Sequence, residues 1–187
     1  MSSTFCISGK MVRWGAWRKV LAFDYLSPEA LTILPPMLRE RVLHGMWIGF
    51  VASAATAGAL VGFGTAREAP VQPLNAIAHV IVGSRAFYVQ SAHLLVTTVA
   101  VLVHLAAMAL CGVAFAWAFG RWRGARLWVA AIGFAALVAL VDFVILPERF
   151  SPGFESVLTR GEVVVIYALM ALAVALAASR SPVGDSL

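Results

Sequence analysis

Between Arg85 and Arg121 the chain carries no Lys, Arg, Asp or Glu. A bilayer crossing takes about 20 apolar residues at roughly 1.5 Å each. Within the interval, residues 91–119 (SAHLLVTTVAVLVHLAAMALCGVAFAWAF) are long and apolar enough to make one. Ala86, Phe87, Tyr88 and Gln90, just before it, suit the membrane–water interface, where tyrosine is favoured. Wound as a helix, the stretch places His93, Thr97, Ala100, His104, Met108 and Cys111 on one face. Leu95, Val99, Leu102, Leu110 and Val113 fall opposite and suit lipid. An ionisable group in hydrocarbon is costly, so the histidine face is expected to turn into a bundle.

Three more apolar runs supply that bundle. With 61% hydrophobic and 12% charged residues and a mean hydropathy of +0.90, the chain has more apolar surface than a soluble core can bury. The expected fold is all-α: an integral membrane bundle of four transmembrane helices at about 42–66, 93–119, 127–146 and 163–179. These lie within a 41–180 domain, between an N-terminal segment 1–40 and a tail 181–187. The net charge of +5 sits at the ends of apolar runs, where it meets anionic headgroups, so nucleic acid is not the expected partner.

The N-terminal segment interleaves Lys10, Arg13, Arg18 and Lys19 with Trp14, Trp17, Phe23 and Tyr25. That mixture fits a cytoplasmic membrane surface, with a poorly ordered tail as the plainer alternative. Ser27-Pro28-Glu29 reads as a helix start and Pro35-Pro36 as its end. Read from Met37, the first span resembles a cleavable signal ending at Ala52-Ser53-Ala54, but its apolar run continues well past those residues. In the same span Gly45, Gly49, Ser53 and Ala57 recur every four residues, and Gly58 and Gly62 repeat the interval. Small residues so spaced let another helix approach closely, here within the bundle rather than in a dimer.

The loop at 67–90 is broken by Pro70 and Pro73 and then reads LNAIAHVIVG, too short to cross. A short interfacial or re-entrant helix is expected, with Asn75 and His79 on one face. His79 is read as a surface histidine with water for a partner. Asp142, about one turn from the end of the third span, is read as a carboxylate reaching for the interface or paired with Arg149, but its depth flags it as functional. Pro152-Gly153 suits a type II turn with the glycine at positive φ. Counting Lys and Arg leaves only Arg67, Arg85, Arg149 and Arg160 for the first and third loops, so both termini are expected in the cytoplasm.

No short motif with a catalytic mechanism is present. The candidate polar site is Asn75, His79, His93, His104 and Asp142. His93 and His104 stand roughly 16 Å apart along a helix and cannot share one ion. His44, at the other end of the first span, is a poor haem partner for His104. A divalent metal held by His79, His93 and Asp142 or Glu148 is one alternative, since zinc accepts those ligand types. His104 is otherwise expected to be a buried histidine donating to Thr56 or Ser53. A second alternative is a transporter or channel acting as an oligomer. The reading that asks least of the sequence is a non-enzymatic structural or accessory membrane protein. Its partners are then the lipid bilayer and a second copy or another membrane protein, with no cofactor and no catalytic residue.

At LNAIAHVIVG (74–83), at His104 and at PERFSPGFE (147–155), the chain resembles a group of four-span bacterial inner-membrane proteins without an assigned activity. That group has an Asn-x-x-x-His loop after the first span and a Pro-Gly-Phe-Glu-like turn after the third. The resemblance covers residues 41 to about 179 and departs from the group at Val103-His104, where paired histidines are usual. It implies a topology and an inner-membrane location, and no chemistry.

Overall fold

The computed structural model describes residues 4–7, 10–13 and 35–180. The chain divides into two compact units, Met1–Arg39 and Glu40–Leu187. In the first, β1 (Thr4–Ile7) and β2 (Lys10–Arg13) pair antiparallel, with Thr4 opposite Arg13 and Ile7 opposite Lys10. The interfacial or irregular reading of this segment did not include that hairpin, although a two-residue Ser-Gly link is a length that favours one. The Ser27-Pro28-Glu29 helix start, the stretch around Trp14 and Trp17, and the tail 181–187 lie outside the described residues.

Four helices, all but the start of the first in the second unit, are long and apolar enough to cross a membrane. The first, α1 (Pro36–Thr65), starts at the proline pair that the sequence marks as a stop. The Pro35 carbonyl accepts from the Leu38 and Arg39 N–H groups at 2.9 and 3.0 Å, and a proline in the first turn lacks only a donor that would be unused there. The loop that follows holds two short helices, α2 (Gln72–Ala76) and α3 (His79–Val82), and a 3₁₀ turn at Ser84–Tyr88. The single expected helix is thus broken at Ile77-Ala78. Pro73 to His79 are all buried, so this loop is tucked into protein, where its backbone polar groups find partners.

The second crossing is α4 (Leu94–Phe119). The third, α5 (Gly124–Leu140), opens into a π turn at Val141–Ile145 and stops before Pro147. The fourth, α6 (Arg160–Ser179), begins three residues earlier than its apolar run. Thr159 and Glu162 form a capping box there, each side chain bonding to the other's backbone N–H. The Thr-x-x-Glu spacing was visible in the sequence.

Apolar side chains cover the outside of the bundle as well as filling its interior. The interior is rich in alanine, while Leu102, Leu110, Val129, Ile132 and Val164 are exposed around the outside, as side chains facing lipid should be. Two apolar clusters fill the interior. One joins Ile48, Phe115, Leu127, Met170 and Val174 from all four crossings. The other joins Leu60, Val96 and Ile166 to Leu74 and Ile77 of the 67–90 loop and to Phe154 of the loop before α6. The two loops at this end are therefore part of the core, not appendages to it.

Candidate functional site

The α1–α4 crossing is set by glycine. A Cβ on Gly49 would lie 2.2 Å from the Met108 carbonyl oxygen, and one on Gly45 2.4 Å from the Val113 Cα. From the other side, a Cβ on Gly112 would lie 2.2 Å from the Gly45 carbonyl oxygen. The four-residue spacing is used inside the bundle, with Gly112 as the partner that the sequence did not single out. One turn along, the same close approach delivers His104 to α1. Its Nε2 lies 3.0 Å from the Thr56 hydroxyl and 3.3 Å from the Ser53 carbonyl, with all three residues buried. Thr56 donates its own proton to the Ala52 carbonyl at 2.9 Å, so an Nε2–H ring donating to Thr56 and Ser53 satisfies the set. His104→Leu removes this interhelical link and leaves Thr56 bonded within α1. Detergent-solubilised protein is expected to lose about 1 kcal/mol of stability, the usual worth of one such bond; a loss several times larger would mean that the ring has another role.

The remaining candidate residues gather at the opposite end of α4, but not into one cluster. Asn75 is fully buried and organises the entry to that helix. Its amide donates to the Val89 and Ser91 carbonyls at 2.9 and 3.2 Å, and its side-chain oxygen accepts from the Thr97 hydroxyl at 2.9 Å. Thr97 accepts in turn from the His93 backbone N–H. The His93 ring is exposed and caps α4, accepting from the Val96 N–H at 3.4 Å. His93 therefore does not join His104 on the inward face.

His79 is not a surface histidine. It is buried, with its ring tilted by 30° against that of Phe87 and the centroids 4.9 Å apart. Its Nδ1 is 2.9 Å from the Ala76 carbonyl and its Nε2 is 3.3 Å from that of Glu148. Gly153 closes against the same ring. Its φ is +84°, as the Pro-Gly turn requires, and a Cβ there would lie 2.5 Å from His79 Nδ1. The segments LNAIAHVIVG and PERFSPGFE, distant in sequence, thus meet at His79 and Gly153.

Asp142 pairs with a residue the sequence reading missed. Tyr167 of α6 donates to its Oδ2 at 2.6 Å, and among the described residues Asp142 forms no ion pair with Arg149. Tyrosine in the middle of an otherwise apolar α6 was the available signal. Glu155 accepts from the Ser151 hydroxyl at 2.7 Å through Oε1, while its Oε2 is buried without a hydrogen-bond partner among the described residues. Arg67, just past α1, pairs with Glu162 at the start of α6, which raises the guanidinium further above its ordinary range. The pair is exposed, so it orients the loop more than it stabilises the fold.

Between the two loops lies a cavity of about 840 Å³. His79, Phe87, Glu148, Arg149, Ser151 and Glu155 are among its lining residues. Among the described residues no three His, Cys, Asp or Glu side chains are grouped as metal ligands. The set His79, His93 and Asp142 or Glu148 is thereby separated: His79 reaches a backbone carbonyl of Glu148, His93 caps a helix and Asp142 binds Tyr167. Comparison of the chain with protein-family models, curated proteins and solved structures finds no match.

Proposed function

We propose that the chain is a non-enzymatic accessory protein of a bacterial inner membrane, with both termini in the cytoplasm, that presents its joined first and third loops to another membrane protein on the outer side. The observation that carries this reading is the His79–Glu148–Gly153 junction, which makes one buried, pinned platform from two loops. Loops that only connect spans have no need of a shared core. A transporter asks for a polar path, and here His104 and Asp142 are each committed to a partner on a neighbouring helix. The inward orientation of the opposite end rests on Arg121, Arg123 and Arg126 beside exposed Trp117, Trp122 and Trp128, the combination expected at a cytoplasmic interface.

Site-specific photo-crosslinking in intact cells tests the reading. A photoreactive residue at Tyr88, which is 82% exposed on the platform side, is expected to give a discrete adduct with one membrane protein. The same residue at Trp122 is expected to give none. Equal adducts at both positions, or none at Tyr88, would reject the accessory role. A C-terminal reporter active only outside the cytoplasm should stay silent, and activity there would overturn the orientation.

A further inference from the structure

We infer that the cavity between the two loops binds an amphipathic zwitterion, an amine joined to a phosphate ester with an apolar portion attached. This extends the accessory reading but does not need it: a ligand can fill the cavity with or without a docked protein.

The chemistry of the walls carries the inference. Adjacent residues Glu148 and Arg149 bring opposite charges to one wall, and neither charged group has a side-chain partner among the described residues. Glu155 adds a second carboxylate, with one oxygen bonded to Ser151 and the other buried and unpartnered. A guanidinium matches a phosphate in two parallel hydrogen bonds, and a carboxylate matches a protonated amine. A purely anionic ligand would meet two carboxylates, and a purely cationic one would leave Arg149 unanswered.

Size and position supply the apolar part. At about 840 Å³ the cavity falls in the range of small-molecule sites and exceeds what a bare headgroup fills. Val80, Ile81, Val82 and Phe87 give the wall an apolar side, beside the polar His79, Ser84 and Ser156, and Ile81 is 66% exposed. The exposed Val144 and Ile145 end the third crossing only a few residues before Glu148, so this wall residue lies close to the end of the apolar belt. A phospholipid with an amine-bearing headgroup has this chemistry; the free headgroup ester has its charges without the apolar part. His79, one of the lining residues, is held in place by Gly153 and the Glu148 carbonyl, which reduces the ordering that binding must overcome.

The test uses the full chain purified in a mild detergent and native mass spectrometry or calorimetry. The probes are a short-chain phosphatidylethanolamine, free phosphoethanolamine and a short-chain phosphatidylglycerol, which keeps the phosphate and lacks the amine. The expected result is saturable binding of the ethanolamine lipid, at least tenfold tighter than the glycerol lipid. Glu148→Gln and Arg149→Gln should each weaken it at least tenfold, and Arg126→Gln at the opposite end should not. Tighter binding of the lipid than of phosphoethanolamine supports the amphipathic ligand, and equal or weaker binding of the lipid overturns it. Equal affinity for the two lipids, or undiminished binding by both loop variants, overturns it. Both variants change exposed side chains, and an unshifted melting temperature confirms that they fold. The crosslinking at Tyr88 reads the platform's protein partner separately, so either idea can fail alone.

Discussion

Gly112→Val is expected to break the bundle. The added Cβ alone would stand 2.2 Å from the Gly45 carbonyl oxygen and 2.4 Å from the Gly49 nitrogen. Both obstacles are backbone atoms of a helix, so no rotamer change relieves the overlap and α1 must move away from α4. That movement also withdraws His104 from Thr56 and Ser53, about two turns along the same seam. Overpacking usually costs about 1–3 kcal/mol, and this case belongs at or above the upper figure because it opens a whole helix contact. Gly58→Ala is the matched control. It lies in α1, where a Cβ meets nothing within 4 Å, so it is expected to leave stability unchanged or slightly raised through helix propensity. Thermal unfolding in detergent, followed by circular dichroism, reads both. Similar melting temperatures for the two variants would mean that the α1–α4 approach is looser than described.

The second large effect is expected at Gly153→Ala, and it should be local. Gly153 has a φ of +84°, which costs an ordinary L-residue about 1–2 kcal/mol. A Cβ would also lie 2.5 Å from His79 Nδ1 and 2.7 Å from the Ala76 carbonyl oxygen, so His79 must leave its place. Gly124→Ala separates the two costs. Its φ is +58° with open space around the Cβ position, so it carries the backbone term alone. Hydrogen exchange is the informative measurement. In Gly153→Ala the Gly83 amide, bonded to the His79 carbonyl, and the Leu158 amide, bonded to the Phe154 carbonyl, should exchange faster. Amides in the middle of α4 and α6 should keep their protection. Unchanged exchange at Gly83 and Leu158 would show that the two loops are not held together through this contact.

These variants also mark where sequence reasoning reaches its limit. Four crossings were legible because a bilayer imposes a length and a polarity on any segment that spans it, and both are local properties. On α4 the helical period placed Ala100 and His104 inward, and on α1 the Gly45–Gly49–Ser53 seam, but it also turned the exposed His93 inward and turned Val99 and Val113, which pack within the bundle, toward lipid. His104 could be placed against Thr56 or Ser53 because two helices with small residues at matching depths have few other ways to meet. At the loop end the same reasoning scattered. His79 looked like a surface residue because its partners are carbonyl oxygens of Ala76 and Glu148, and a backbone acceptor leaves no mark in the sequence. Asp142 looked destined for Arg149 because charge is visible along the chain, whereas the Tyr167 hydroxyl is brought to it by the packing of α5 against α6. The five candidate residues were gathered by shared depth, and depth does not determine which of them touch. Periodicity and hydropathy therefore determined the class, the number of crossings and the middle of α4's inward face. Only the tertiary structure decided that the two loops close on His79 and Gly153 around a cavity, because that junction depends on a positive φ, an absent Cβ and backbone carbonyls meeting across some 70 residues of chain, a separation over which pattern carries no information.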